Sequence, residues 1–548
     1  MTPLKSSALI LTAFLLGSCA QTTPPAPPVQ STPQAISPSA QTVFQPVPMN
    51  QTTLLNPLSG LYDWFGEQKL LPLGTDARTV YRRWTWRELT LADGSLNTAL
   101  LTERIQWAKN RKQKLGLRVQ AVLDYGSGTQ NCGLGVPEVY RSSLTTTYTV
   151  VEQGGTAKQW CVPNWNDAAF QQQYTAFYDA LNAFLSQPEQ AKYIAFLDIG
   201  TYGKWGEWHM YVPENAQVLN PQGQPVAPDA YKATLETRKR LVDLVTQRFP
   251  SIRKVMMTDD KEALMHALNQ SPNIGWRRDA LGWLHFMDGF RGTLSDGEWQ
   301  TVLNRYKTAP TITEFGGSYR FGCNIQQCIT TPSEALQVAF NDVVSTHVGL
   351  VSNGNLSDFN PLDTNQKSKV EKMHLYSGFR PAIKNLTADY TPPTSTSPAR
   401  LTLNASWLNY GTAPAYRVPE LRNPSLGFIE GWRITYQIRN GSNQILWTGI
   451  SSLKPSTLMP SLQWSNGQIQ SETPTLAVDQ FSLSKPLSGC VYLYAGMPSV
   501  FPNTYSTAEK PLMLAQQNGL PDGFYLLGEL KVANSGLPSP DVVTPCPL

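Results

Sequence analysis

Between residues 51 and 390, short apolar, β-branched runs alternate with longer stretches whose apolar positions recur every three or four residues. Eight runs read as strands: Gly60–Trp64, Val80–Trp86, Leu117–Tyr125, Tyr193–Gly200, Lys254–Asp259, Ile274–Asp279, Pro310–Phe315 and Val348–Asn353. Between them, Phe170, Tyr174, Phe177, Tyr178, Leu181, Phe184 and Leu185 form one helical stripe. Tyr231, Leu235, Leu241, Val242, Val245 and Phe249 form another, closed by Pro250. Thr331-Pro332-Ser333-Glu334 and Ser295 with Glu298 have the form of capping boxes. Gly116 is expected at the left-handed position ending the helix that begins near Leu101. Eight strand–helix units over this length predict an α/β fold, a (β/α)8 TIM barrel. A doubly wound sheet would more usually carry a glycine-rich phosphate loop after its first strand, and none is present.

From 391 to 548 the helical period disappears. Alternating segments such as Arg400–Leu408, Trp432–Arg439 and Val491–Ala495, separated by Pro, Gly, Ser and Asn, predict a β-sandwich. Pro392, Pro393 and Pro398 mark the expected joint.

The amino terminus has a different character. Lys5, the apolar stretch Leu9–Leu16 and the small residues before Cys19 read as a secretory signal peptide over residues 1–19. A Cys directly after Gly17-Ser18 resembles the lipobox of bacterial lipoproteins. That resemblance implies lipidation at Cys19, export, and membrane contact through the lipid anchor alone, on the periplasmic or surface face of the cell envelope. Residues 20–50, rich in Pro, Ser, Thr and Gln, are expected to form a tether. Without Cys19, six cysteines remain. In an exported chain an even number favours disulfides over metal thiolates, and proximity suggests Cys132–Cys161, Cys323–Cys328 and Cys490–Cys546.

Composition narrows the chemistry. Lys and Arg total 44 against 40 Asp and Glu, and this balance excludes the basic signature of nucleic-acid binding. Five His residues without a paired His motif make a His-based metal centre unexpected, so no metal and no organic cofactor is anticipated. The 15 Trp, 22 Tyr and 19 Phe residues suit sugar faces as well as cores.

In such barrels the reactive groups sit where strands end. The acidic and basic residues there are Asp124, Asp198, Glu207, Asp259, Arg278, Asp279 and Glu314. Arg118, Gln120 and Asp124 share one parity of their strand, which suggests a polar barrel interior.

Three stretches carry a family resemblance: Asn56-Pro57-Leu58-Ser59-Gly60, Arg278-Asp279-Ala280-Leu281-Gly282, and Asp198 through His209, which contains Trp205-Gly206-Glu207-Trp208-His209. They resemble a bacterial family of unknown function whose barrels are similar to β-galactosidase-type glycoside hydrolases. Asn409-Tyr410-Gly411-Thr412-Ala413-Pro414-Ala415-Tyr416 resembles that family's carboxy-terminal β-domain. The clan's pattern implies Glu207, after strand four, as acid/base and Glu314, ending strand seven, as nucleophile of a retaining glycosidase acting on an oligo- or polysaccharide. Trp205 and Trp208 are expected to flank Glu207 and raise its carboxyl pKa. Asp124, Asp198, His209, Asp259, Arg278 and Asp279 are expected around the sugar, with Asp198 as the fallback acid. Where that clan places Asn before its acid/base Glu, this chain has Gly206. That departure keeps open a second reading, a carbohydrate-binding lipoprotein without hydrolysis.

Overall fold

The computed structural model describes residues 40–49, 54–64, 77–125, 134–283, 286–315, 323–324, 327–328, 332–352, 362–501 and 510–532. Eight parallel strands close into a barrel. In chain order they are β1 Gly60–Trp64, β2 Thr79–Thr85, β3 Lys114–Gln120, β4 Ile194–Asp198, β5 Lys254–Met257, β6 Ile274–Leu281, β7 Thr311–Phe315 and β8 Leu350–Ser352. Neighbours in sequence are neighbours in space, and β8 pairs with β1. Helices α1 Thr98–Asn110, α2 Ala168–Leu185, α3 Leu235–Arg248, α4 Lys261–Gln270, α5 Asp296–Leu303, α6 Pro332–Ser345 and α7 Thr364–Tyr376 follow strands β2 to β8. All eight predicted strands exist, although β3 and β4 end five and two residues earlier than their periodicity suggests.

The strand period sorts the barrel interior into two layers. Near the strand starts, Tyr81, Phe196, Val255, Ile312 and Leu350 pack together, with the Tyr81 and Phe196 rings stacked 5.9 Å apart. One step further along the same inward parity stand Arg83, Arg118, Asp198 and Glu314, all but Arg83 buried to 4% exposure or less. The outward parity, with Trp84, Trp276 and Leu117, meets the helices.

Gly116 belongs to this interior rather than to a helix end. A β-carbon there would stand 2.5 Å from the Phe196 ring, so the position must stay bare for that ring to fill the floor. The left-handed residue after α1 is instead Lys112, at φ 60°. The predicted Ser295–Glu298 capping box opens α5, while Thr331 lies outside the described residues.

The second predicted unit is two four-stranded antiparallel sheets. One holds β9 Pro381–Thr391, β10 Ala399–Asn409 and β13 Thr475–Leu483. The other holds β11 Thr435–Asn440, β12 Ile445–Ile450, β14 Val491–Gly496 and β15 Phe524–Leu530. Leu386, Leu401, Leu403 and Trp407 of the first share a core with Ile434, Tyr436, Ile438 and Leu493 beside the second. The β-domain therefore starts about ten residues before 391. The prolines expected at the joint lie at the turn between β9 and β10, where Thr394 donates its N–H to Ser397. Residues 20–50 are not a tether throughout, because Ala40–Phe44 pairs antiparallel with β9, Phe44 opposite Leu386. Alternation of Thr42 and Phe44 inward with Gln41 and Val43 outward suits a sheet edge, and low charge alone did not reveal it.

Among the described residues no helix is long and apolar enough to cross a membrane. Cys19, Cys132 and Cys546 lie outside the described residues. Backbone pairing sets Cys323 opposite Cys328 in a two-stranded ladder, and their side chains also lie outside the description.

Candidate active site at the barrel mouth

Register brings two arginines side by side. Arg83 on β2 is the cross-strand partner of Arg118 on β3, and Arg118 is the partner of Asp198 on β4. Two buried guanidinium groups at neighbouring positions require acids between them, and the interior supplies them. Arg118 donates to Asp198 through Nε at 2.9 Å and approaches the same oxygen through Nη2 at 2.6 Å. The Tyr81 hydroxyl donates to that carboxylate at 2.6 Å, and Arg277 Nη1 reaches it at 3.3 Å. Asp198 is thus a buried anchor of the barrel interior.

Glu207 lies nine residues beyond the end of β4, yet the loop folds back over the mouth. Trp205 donates its N–H to Val122 past β3, Gly206 to Gly203, Glu207 to Lys204, and Trp208 to Tyr202. Trp205 and Trp208 both adopt left-handed backbone, at φ 51° and 64°. This tight fold presents Glu207 to Arg83, whose Nη1 donates at 2.6 Å, and to Arg118 at 3.4 Å. The other end of the Arg83 fork donates to Glu314 at 3.1 Å. Arg277 also pairs with Glu314 and with Asp279, the latter at 3.2 Å. One guanidinium therefore bridges Glu207 and Glu314. The Arg83 guanidinium lies 4.6 Å over the Trp64 ring, a stacking that fixes the fork.

The charges explain the titration. Five carboxylates, of Asp198, Glu207, Asp259, Asp279 and Glu314, stand against Arg83, Arg118 and Arg277, so the acids outnumber the cations. Burial on its own would push the Glu207 carboxyl up. Arg83, a hydrogen bond with His209 (3.5 Å away), Arg118 and Arg277 outweigh it and hold Glu207 well below the usual carboxylate range. The excess acid appears at the other side of the mouth. Asp259 is open to water but ringed by protein, and this crowding together with the charge of Asp279 pushes it up to about 6. Burial raises Asp279 as well, against the pull of Arg277. The tryptophan flank does not therefore make Glu207 a protonated acid, because the arginines dominate a low-dielectric site.

The expected residues divide. Asp198, Glu207, His209, Asp259, Asp279 and Glu314 meet at the mouth, with Trp205 edge-on to His209 at 6.0 Å. Trp208 is only 2% exposed and donates its indole N–H to Ile199, so it braces the loop instead of facing a sugar. Arg278 points outward from the barrel, donating to the Phe286 carbonyl at 2.6 Å and to Thr258 at 3.0 Å between the Phe286 and Phe290 rings. Asp124 pairs with Lys204 at 2.9 Å, over the Tyr125 ring. Arg83, Arg277, Tyr81 and Trp64 were not anticipated. Their signal was parity: Tyr81 and Arg83, like Arg277 and Asp279, are two apart on strands whose inward set also carries the acids. Among the described residues, no group of three or more His, Cys, Asp or Glu is arranged to hold a metal ion.

Gly206 has a local cause. At φ +71° its missing β-carbon would stand 2.7 Å from the Gly200 carbonyl and 3.1 Å from Arg118. Gly206→Asn should destabilise the fold by about 1–3 kcal/mol, through lost left-handed freedom and crowding. A urea-denaturation midpoint equal to that of the wild type would contradict this.

No family model matches the chain, and no curated protein matches it. Several solved structures are similar in backbone. Endo-glycoceramidase II from Rhodococcus sp., in a cellobiose-like imidazole complex, is 11% identical, with 79% of this chain and 99% of that one covered at a TM-score of 0.34. The catalytic domain of a mannanase from Streptomyces sp. SirexAA-E is 12% identical over 55% and 77%, at 0.29. An α-galactosidase from Thermus thermophilus is 10% identical over 61% and 64%, at 0.31.

Proposed function

We propose that the barrel mouth hydrolyses a glycosidic bond of an oligo- or polysaccharide. The observation that carries this reading is that the Arg83 fork holds the Glu207 and Glu314 carboxylates together at the barrel mouth, 2.6 and 3.1 Å from its two ends. Glu207 is kept ionised beside Arg83, while Asp259 is held up to about 6. Hydrolysis of an acetal needs two kinds of carboxyl, a carboxylate to attack or stabilise the anomeric carbon and a protonated carboxyl to donate to the leaving oxygen. In this proposal Glu314, at the end of β7, attacks the anomeric carbon while the leaving oxygen takes a proton from the donor, and water deprotonated by that same donor then releases the sugar from Glu314. Glu207 stabilises the developing positive charge on the sugar, and Asp259 supplies the proton in place of Glu207. Arg83 and Arg277 hold the two glutamates in place.

A second reading, carbohydrate binding without hydrolysis, is favoured by one observation. Both glutamates are engaged by arginine, Glu207 by Arg83 and Glu314 by Arg83 and Arg277.

The pH dependence of kcat/KM distinguishes the donors. If Asp259 must be protonated, activity falls as pH rises through about 6. Asp259→Asn should then lose most on substrates with poor leaving groups and far less on activated aryl glycosides. A Glu207→Gln variant showing that leaving-group pattern, with Asp259→Asn unaffected, would return the donor role to Glu207.

The proposal places the protein outside the cytoplasm, lipid-anchored through Cys19, on the strength of the amino-terminal motif. It includes the pairings Cys132–Cys161, Cys323–Cys328 and Cys490–Cys546. Their support is the even number of cysteines in a chain read as exported and the backbone pairing of Cys323 with Cys328.

A further inference from the structure

At the opposite end of the barrel, where the strands begin, a cleft opens between the barrel floor and the β-domain. It is an open cleft lined by the starts of β2, β3 and β4 and by residues 415–419 of the β-domain. Among the described lining residues seven are Lys or Arg, and none is Asp or Glu. The chain as a whole is nearly balanced, at 44 basic to 40 acidic residues, so this concentration of one sign is local.

Some of these cations have partners elsewhere. Arg417 pairs with Glu430 at 3.1 Å, and Arg253 donates to the Thr308 carbonyl and sits over the Tyr416 ring. Arg78, Lys112 and Lys510 differ. Arg78 is half-buried and donates only to carbonyls, of Leu55 at 2.7 Å and of Lys112 at 3.2 Å, which ties it to the Lys112 backbone. Among the described residues none of the three forms an ion pair with a carboxylate. Lys510 is held below its usual value by burial and by the positive charges of Arg78 and Lys112. Three like charges meet at one edge of a cleft whose other side is apolar, with Leu58, Ile252 and Leu512. Such a set makes the cleft edge attractive to an anion.

Lys112 adds a second observation. It occupies the left-handed position after α1 that glycine fills at least cost, and it is exposed there.

We propose that this cleft is a binding site for a phosphate-class oxyanion carried on an organic group. Arg78, Lys112 and Lys510 would hold the anion, and the apolar wall would hold the rest of the ligand. The site is independent of the mouth chemistry, and its ligand arrives from the other face of the barrel. A free phosphate ester and a phospholipid headgroup share this chemistry.

The test uses the full chain with Cys19→Ala, so that no lipid anchor contributes. Calorimetry with glucose 6-phosphate probes the free ester, and co-sedimentation with phosphatidylglycerol against phosphatidylcholine vesicles probes the headgroup. Binding in either arm, weakening with added salt and at least tenfold weaker in Lys112→Glu/Lys510→Glu, supports the site. The arm that responds identifies the source. Lys112→Gly removes the charge while relieving the backbone. It is expected to fold at least as stably as the wild type and to bind at least threefold more weakly. Absence of binding in both arms, or binding undiminished in the variants, overturns the proposal.

Discussion

Arg277→Met is expected to destabilise the fold by about 3–5 kcal/mol, the scale for removing one partner from buried charge pairs. The Arg277 side chain is wholly buried and serves Asp198, Asp279 and Glu314 together. Methionine fills comparable space but leaves those carboxylates facing low dielectric with less positive charge. The sign of the pH dependence follows. Asp279, already raised by burial against the pull of Arg277, rises further in the variant above its unfolded value, near 4. A raised carboxyl binds protons more readily in the folded state, so the variant loses stability as pH rises from about 4 toward neutrality. The gap from wild type should therefore be widest near pH 7 and narrow toward pH 4. In the wild type Glu207 has the opposite dependence, beside the raised Asp259 and Asp279. Its depressed carboxyl contributes stability above the unfolded value and loses it as the pH falls. Urea denaturation at both pH values measures the difference. A gap unchanged between pH 7 and 4 would mean that Arg277 acts by packing rather than by charge.

Glu314→Gln is the variant with the largest expected effect on turnover. It keeps the shape of the side chain and removes the attacking charge, so kcat should fall by at least about 10³-fold. Glycan binding by calorimetry should stay within a few-fold of wild type, because the sugar contacts survive. Retained turnover would remove Glu314 from the attacking role and turn attention to Asp279. Loss of binding together with turnover would make Glu314 a residue that shapes the mouth.

The barrel was legible because its two periods differ so plainly. Strand residues such as Val255, Met256 and Met257 are apolar on both faces, while helices such as Ala168–Leu185 show a stripe. Glu207 and Glu314 were singled out by the family resemblance, and only Glu314 lies on a strand, β7, while Glu207 reaches the mouth on a loop nine residues past β4. Their partners were not singled out. Arg82 and Arg83 are adjacent, as are Arg277 and Arg278, so sequence alone offers two candidates for each inward position. The register that aims Arg83 and Arg277 inward is a property of the closed barrel. The same ambiguity put Arg278, instead of Arg277, at the mouth. Trp208 was misread because a tryptophan beside an acid suits a sugar platform and a loop brace equally. Its left-handed backbone, which turns the ring into the core, depends on hydrogen bonds from Trp205 to Val122 and from Trp208 to Tyr202. The titration of Glu207 was inverted for a related reason. The aromatic neighbours are visible in sequence, whereas Arg83, the stronger influence, lies 124 residues away.

The central claim is that glycans entering the barrel mouth are cleaved there. Calorimetric binding and reducing-end release should be measured on one panel of plant and bacterial polysaccharides with the wild-type chain. The account predicts that a glycan bound by the wild type also yields new reducing ends. Tight binding across the panel with no release would contradict hydrolysis and leave a carbohydrate-binding protein.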